Sequence, residues 1–518
     1  MSKNYYGMID IGSNSMRLVI YLQEKTGSLS EVENVKAVAR LRNHLDDQNL
    51  LTEQGLSILI QTLKSFKEVM ETYELIDLVC VATASIRQAK NQDVIRQMVR
   101  EQVGLDMKIL SGEEEAFYGY LAVVNSTSIT EGITVDIGGG STEITYFKDR
   151  KLLESHSFSF GALTLNRFFK YDIPSNKELK KLREFLRDQF DSLPWLSQQG
   201  VPLIAIGGSA RNLVQIDQSI KKYPLAGLHQ YKMGWKDITY VSDCLSKLTT
   251  EEKQKVDGLS SDRADIILPA IEVFRCLHQT IGAKSFVLSR KGLRDGVFFE
   301  QLSQQLGSAV FPNVLQSSIQ ELMTDYDVNP TQINHVQFLA SKFFDEFQQN
   351  GLGDLTYDDW TILKRASNVF NLGKYIDSES SAQHTFYLLA NRTIDGLFHI
   401  DRLKLALVAS FKNNQLFKQF VNPYKGWIAK SEKQKLRVLG ALLKFLYCLD
   451  ATKRQIVQDF DLRNREGVIE LTIYCNQDWL PEQYQTVKQK KHLEKALKRP
   501  IHLTFVDVNE IGNIKLAR

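Results

Sequence analysis

Apolar positions along this chain repeat with two different periods, and the changes of period divide it. Ile133, Val135 and Ile137 alternate with Thr134 and Asp136, the period of a β-strand. The run ends in Gly138-Gly139-Gly140-Ser141-Thr142, and alternation resumes over Glu143–Tyr146. The same order occurs near the start: an apolar strand from Gly7, then Asp10-Ile-Gly12-Ser13-Asn14-Ser15, then a second strand to Tyr21. Asp10 and Asp136 lie 126 residues apart, so the repeat is a domain-sized duplication and not a short array. Two hairpins of one design, each ending a strand on an aspartate, predict two related halves facing one ligand.

Between and after the hairpins the pattern is that of an α/β protein. Leu56, Leu59, Leu63, Phe66, Met70 and Tyr73 recur at helical spacing behind Thr52, a suitable N-cap. Leu75–Ala82 is a near-continuous apolar run suited to a buried parallel strand. A helix over 91–103 and a strand at Met107–Leu110 follow. Ser111 with Glu114 three residues on is a capping-box signature, which opens a helix at Glu113-Glu114-Glu115. Past Tyr146, Phe158–Asn166 reads as strand, turn and helix. A charged helix covers 176–190, and Pro202–Leu213 is strand, di-glycine turn (Gly207, Gly208, Ser209) and helix. Arg263 is expected to start another helix. Phe286–Gly296 reads as a strand and a turn bearing three cations. From Phe311 to Leu449 amphipathic helices dominate, and the tail alternates again at Gly467–Cys475 and Ile501–Val506 around a basic helix at 482–497. These readings predict lobes over 1–125 and 126–305, a helical domain over 306–450 and a small αβ domain over 451–518.

Composition narrows the function classes. With 64 basic and 61 acidic residues among 518, the formal charge of +3 gives no global drive toward nucleic acid. Met1-Ser-Lys leads directly into a strand, no apolar run reaches the ~18 residues of a membrane span, and five scattered cysteines form no Cys-x-x-Cys pair. The expected setting is cytoplasmic, without a membrane partner.

The candidate chemistry lies in the turns. Glycines without Cβ let backbone N–H groups converge on an anion, and Ser141 and Thr142 add hydroxyl donors. Asp136, at a strand end, is placed to hold a cation or a metal-bound water. The helix opening at Glu113 lies where α/β sites form, at the C-terminal end of a strand. Only one of its three carboxylates can face inward, and local pattern leaves open which.

Six segments in register carry a family resemblance: Asp10-Ile-Gly-Ser-Asn-Ser15, Ala82-Thr-Ala-Ser-Ile-Arg87, Ser111-Gly-Glu-Glu-Glu-Ala116, Asp136-Ile-Gly-Gly-Gly-Ser-Thr-Glu143, Ile206-Gly-Gly-Ser-Ala-Arg211 and Gly292-Leu-Arg-Asp-Gly296. Together they resemble the exopolyphosphatase/guanosine pentaphosphate phosphatase family of the actin, sugar-kinase and heat-shock ATPase superfamily. The resemblance implies an α/β fold with two actin-like (ribonuclease H-like) lobes and a central cleft. An all-α HD-like domain and a small α+β C-terminal domain would follow. It implies water attacking a terminal phosphoryl group, with Glu115 as base, Asp136 positioning water or metal, and Arg87 gripping phosphate. By the same carry-over, Asp10, Gly12, Ser13, Asn14 and Ser15 form one phosphate loop, Gly138, Gly139, Gly140 and Ser141 the other. Glu143, Gly207, Gly208 and Ser209 complete the site. Asp136 and Glu143 would hold Mg²⁺, with K⁺ as a further stimulant, and the protein would be a homodimer. The chain departs from HD hydrolases in having no His-Asp dipeptide: Phe370-Asn371-Leu-Gly373 stands in its place and His384 is isolated. The helical domain is therefore expected to be non-catalytic.

Three functions compete on this reading. The first is hydrolysis of inorganic polyphosphate, supported by basic clusters at 425–437 and 488–499. The second is the same chemistry on guanosine pentaphosphate. The third is a nucleotide-binding ATPase or kinase of the superfamily, disfavoured by the absence of a Gly-x-x-x-x-Gly-Lys-Ser/Thr loop.

Overall fold

The computed structural model describes residues 4–23, 29–352 and 355–508; the lead-in at residues 1–3 and the end of the 451–518 segment lie outside them. The chain forms two compact units, Met1–Tyr223 with Gly227–Leu315, and Gln316–Arg518 with Pro224–Ala226.

The first unit is built twice from one plan. Strands β1 (Tyr5–Ile11), β2 (Met16–Gln23), β3 (Leu29–Ala37), β4 (Leu75–Ala82) and β5 (Met107–Ile109) form a sheet ordered β3-β2-β1-β4-β5. Strands β6 (Gly132–Ile137), β7 (Thr142–Lys148), β8 (Lys151–Phe158), β9 (Leu203–Ile206), β10 (Lys232–Met233) and β11 (Phe286–Leu288) form a second, ordered β10-β11-β9-β6-β7-β8. In each, three antiparallel strands join parallel ones at the first strand of the repeat. The equivalence extends to the turns. Gly12 N–H donates to the Ser15 carbonyl at 3.1 Å, and Gly138 N–H donates to the Ser141 carbonyl at 3.0 Å. The duplication read from two short motifs is thus a duplication of whole sheets, as the actin-like expectation requires.

Each sheet buries its faces against helices. In the first lobe Ile9, Leu18 and Ala82 pack with Leu59, Leu63 and Phe66 of the helix Glu53–Met70. Thr52 caps that helix, its hydroxyl accepting from Gly55 N–H at 3.3 Å. The opposite face, through Met8, Val19 and Tyr21, meets Tyr118 and Phe298. Those two residues lie on the helices Gly112–Val124 and Leu293–Leu306, which pack on each other. The helix Gly112–Val124 also packs on β7 and β8 of the second lobe, so it joins the two sheets. Across the lobes Lys36 pairs with Asp262 at 2.6 Å and Arg40 with Asp265 at 2.8 Å. Such partly exposed pairs are worth about 0–1 kcal/mol each, whereas burying a side chain such as Phe298 contributes about 1.5–3 kcal/mol. Apolar packing through the shared helices therefore dominates the joint.

Several elements differ from the sequence reading. Gly207 and Gly208 are the first turn of a helix, Gly207–Ile220, and not a turn before it. Arg263 ends a short 3₁₀ turn, and the helix begins at Ile267. The turn expected at Gly292–Gly296 is instead the start of the helix Leu293–Leu306, and Gly296 lets it approach the Tyr118 backbone; a Cβ there would sit 2.1 Å from the Tyr118 oxygen.

The second unit holds the helices Pro330–Gln349, Tyr357–Asn368, Ser381–Asn391, His399–Ala409 and Lys430–Cys448, then a three-stranded sheet, β12 (Val457–Arg465), β13 (Val468–Cys475) and β14 (Ile501–Asp507). β12 has no counterpart in the sequence reading. Asn371 occupies the left-handed region at φ 60° and its amide oxygen accepts from the Ser381 hydroxyl at 2.8 Å. His384 packs over Gly373.

The tri-glycine turn is braced from behind. Ala162 N–H and Leu163 N–H donate to the Gly138 and Gly139 carbonyls at 2.9 and 3.0 Å, and a Cβ on Gly161 would lie 2.5 Å from the Gly138 oxygen. Because the obstacle is backbone, Gly161→Ala must displace the turn, at a cost of about 1–3 kcal/mol. Urea unfolding of the variant should show a lowered midpoint; an unchanged midpoint would contradict this packing.

Candidate functional site

The two hairpin turns face each other across one cleft of ≈ 390 Å³. A Cβ on Gly139 would stand 3.0 Å from Ser13 Cβ, and one on Gly140 3.2 Å from Ser13 Oγ. The first turn is fixed by backbone bonds from Arg40 N–H to the Asn14 carbonyl, 2.9 Å, and from Arg42 N–H to the Ser13 carbonyl, 3.2 Å. Asn14 is only 5 % exposed, yet neither end of its amide finds a partner within the protein. Buried amides are nearly always satisfied, and this one lines the cleft, where water or a polar ligand can reach it.

The capping box resolves the three carboxylates. Glu114 turns back to accept from Ser111 N–H at 2.8 Å while Ser111 Oγ accepts from Glu114 N–H at 3.0 Å, and Glu113 is exposed. Only Glu115 lines the cleft. Arg87, whose guanidinium also donates to the Leu110 carbonyl at 2.8 Å, forms an ion pair with Glu115 Oε2. The same guanidinium lies 4.0 Å from Glu143, and the Ser157 hydroxyl donates to Glu143 at 2.9 Å.

Of the predicted residues, Asp10, Gly12, Ser13, Asn14, Ser15, Glu115, Asp136, Gly138, Gly139, Ser141, Glu143, Gly207 and Gly208 line the cleft. Arg87 stands behind it, against Glu115. Gly140 and Ser209 are outside the lining, and the buried Ser209 hydroxyl instead accepts from Arg263 at 3.3 Å. Gly207 has φ 87°, and a Cβ there would meet Asp136 Oδ1 at 2.4 Å, so only glycine lets the helix start so close to that carboxylate.

Five cations share the cleft: Arg17, Lys36, Arg211, Arg263 and Arg294. The sequence reading named Arg211 and Arg294 only as motif members and gave none of the five a role. Arg17 is cross-strand neighbour to Asp10, whereas Asp136 in the equivalent register faces Glu143. The duplicated hairpins thus differ in charge: one carries an acid–base pair and the other two acids.

Burial sets the electrostatics. It pushes Asp136 up to about 6, with Arg211 and Arg263 opposing and Asp10 adding. It raises Asp10 against the pull of Arg294 and Arg17. Glu143 rises to about 7, chiefly by burial, with Asp136 adding and hydrogen bonds from Ser141 and Ser157 opposing. Glu115 is raised well above the carboxylate range by burial and by Glu143, with Arg87 opposing. Arg211 falls to about 10, through burial and the neighbouring Arg294 and Arg17. Its Nε, and Nη1 of Arg294, are buried without a partner in the protein. Such a site holds carboxylates near the protonation range of neutral water beside guanidinium donors, which suits proton transfer next to a polyanion.

Among the described residues no three acidic, histidine or cysteine side chains form a metal cage. The oxygen donors of Asp136 and Glu143 nonetheless fit Mg²⁺, which is held by one or two carboxylates together with substrate oxygens and water. No helix among the described residues is long and apolar enough to cross a membrane.

The Ppx/GppA phosphatase family matches residues 19–305, and its domain III matches residues 314–493. Among solved structures, the chain is similar to the Aquifex aeolicus member of the Ppx/GppA family, with 28% identity and a TM-score of 0.52 over 59% of this chain and 99% of that one. It is also similar in fold to an exopolyphosphatase from Cytophaga hutchinsonii, with 21% identity and a TM-score of 0.53 over 58% of this chain and 98% of that one.

The raised Glu143 carboxyl has a consequence for stability. The folded state holds its proton more tightly than the unfolded chain, so its contribution is fully present below about 4.5 and is lost as pH rises through about 7. Glu143→Gln, which keeps an acceptor for Ser157, should therefore raise the unfolding free energy at pH 8 by on the order of 2 kcal/mol and leave it little changed at pH 4. Urea denaturation at both pH values checks this, and a destabilised variant at pH 8 would contradict it.

Proposed function

The chain belongs to the Ppx/GppA phosphatase family, and on that premise we propose that it is an exopolyphosphatase, releasing the terminal phosphate of inorganic polyphosphate. The observation that carries the choice of substrate is the cleft lining. It presents five cations and no Phe, Tyr, Trp or His among the described residues. Consecutive phosphoryl groups find guanidinium donors there, while a guanine base would find no ring to stack on. Guanosine pentaphosphate is the alternative substrate of the same chemistry, and a nucleotide-dependent ATPase or kinase is disfavoured by the same lining.

Phosphoryl transfer asks the protein for positioning and charge stabilisation. In this reading the Gly12–Ser15 and Gly138–Ser141 turns, with Arg17, Arg211, Arg263 and Arg294, hold the terminal phosphoryl oxygens. Glu115, oriented by Arg87, accepts a proton from the attacking water. The water oxygen bonds to the terminal phosphorus, the bridging P–O bond breaks, and its electrons stay on the shortened chain. Asp136 and Glu143 would hold Mg²⁺, which neutralises phosphate charge when bound. Gly207 keeps Asp136 accessible, Gly208 leaves room for the Arg263 guanidinium, and Ser209 acts through Arg263. The helical segment 306–450 is read as non-catalytic, and the homodimer belongs to this proposal.

A panel of long polyphosphate, tripolyphosphate, guanosine pentaphosphate and ATP tests it. Long polyphosphate should give the highest kcat/KM, Glu115→Gln should slow release by ~10²–10⁴-fold, and chelation should stop it until Mg²⁺ is restored. A higher kcat/KM for guanosine pentaphosphate would transfer the assignment to that substrate. Near-full activity of Glu115→Gln would remove Glu115 from the role of base.

A further inference from the structure

Arg40 ties together two parts of the cleft that come from different lobes, although it is outside the cleft lining itself. Its backbone N–H donates to the Asn14 carbonyl at 2.9 Å and so holds the first hairpin turn. Its guanidinium crosses to the second lobe. There Nη1 donates to Asp265 Oδ2 at 2.8 Å, and Nη2 donates to Asp265 Oδ1 at 3.3 Å and to the Asp262 carbonyl at 3.2 Å.

The segment that Arg40 grips carries a cation of the cleft. Residues 261–263 form the 3₁₀ turn, and Arg263, between the two aspartates, lines the cleft. Its guanidinium donates to Ser209 Oγ at 3.3 Å and occupies the space where a Gly208 Cβ would stand, 2.2 Å from Nη2. It is also one of the two cations that oppose the rise of Asp136. The turn is held at its start by Ser260 N–H, which donates to the Asn212 side chain at 2.6 Å, and by Lys36, which pairs with Asp262 at 2.6 Å. Arg40 holds its far end. A forked arginine–carboxylate bond fixes direction as well as distance, which a single-point lysine pair does not.

Two features set this contact apart from an ordinary surface pair. As a source of stability it is weak, because the two side chains are 34 % and 30 % exposed. Arg40 also takes up the left-handed backbone conformation, at φ 44° and ψ 42°. A residue with a Cβ keeps such a conformation where its surroundings over-determine it. Here the Asn14 carbonyl on one side and Asp265 on the other do so.

We propose that Arg40 is a positioning residue for Arg263. By holding Asp262 and Asp265 it fixes the Arg263 guanidinium relative to the Gly12–Ser15 turn, to which its own backbone is bonded. The phosphate ligand rests on the exopolyphosphatase reading; the linkage rests on these contacts.

A double-mutant cycle tests it. The cycle is read as tripolyphosphate affinity by calorimetry on the full chain carrying Glu115→Gln, and as kcat/KM for long polyphosphate without that substitution. Arg40→Gln and Asp265→Asn should each weaken both readouts by about threefold or more, although one removes a positive charge and the other a negative one. If Arg40 acted only by long-range attraction, Asp265→Asn would tighten binding, and that result would overturn the proposal. Arg263→Met should weaken both by about tenfold or more, and adding Arg40→Gln to it should lower them by less than about twofold further. Additive losses would overturn it too. Glutamine is no more strained than arginine at this φ, so each single variant should keep the thermal midpoint within about 4 °C. A larger fall would make the contact a structural one and contradict the positioning role. Absence of phosphate release by the unsubstituted protein, with the cycle intact in tripolyphosphate binding, refutes the hydrolase reading alone. Release with additive losses refutes the positioning role alone.

Discussion

Everything at the cleft depends on placing four carboxylates, Asp10, Glu115, Asp136 and Glu143, where water is scarce. Burial raises each of them toward its neutral form, and nearby cations oppose it, joined at Glu143 by hydrogen bonds from Ser141 and Ser157. Arg17 and Arg294 act on Asp10, Arg211 and Arg263 on Asp136, and Arg87 on Glu115 and Glu143. Those cations come from β2, from the helices Gly207–Ile220 and Leu293–Leu306, from a 3₁₀ turn and from the one-turn helix Ala84–Arg87 after β4. The fold is the device that brings them together. A polyanionic ligand fits this balance because it adds negative charge where guanidinium donors are left without partners.

The duplication explains how such a cluster arises and why its halves differ. Both hairpins close with the same four-residue turn and the same Gly-to-Ser hydrogen bond. At the matching cross-strand position the first has Arg17 and the second Glu143. The first half therefore offers a locally neutral pair beside its Gly12–Ser15 turn. The second offers two acids with pKa values shifted upward, of the kind that hold a cation or pass a proton. One geometry thus carries two different local charges.

What the sequence made legible was local. The hairpins announce themselves because alternation, an aspartate and a small-residue turn all lie within fifteen residues. The capping box at Ser111 and Glu114 is equally visible. A glutamate committed to the cap cannot face the cleft, which leaves its neighbours. The cation wall was not legible. Arg17, Arg211, Arg263 and Arg294 meet only through tertiary packing, and nothing in their spacing marks it. The glycines misled for a related reason. Gly207 and Gly296 read as turns but serve close approach, to Asp136 and to the Tyr118 backbone, inside or at the start of helices. β12 was missed because Asp459, Asp461, Arg463 and Arg465 make it look like a polar loop, though Val457, Phe460 and Leu462 are buried.

The central claim is that this cleft directs water onto the terminal phosphorus of a polyphosphate chain. Hydrolysis in ¹⁸O-water, with mass analysis of both products after a single turnover, tests it most directly. The account predicts one ¹⁸O atom in the released orthophosphate and none in the shortened chain. Label in the shortened chain would place the attack elsewhere and contradict it.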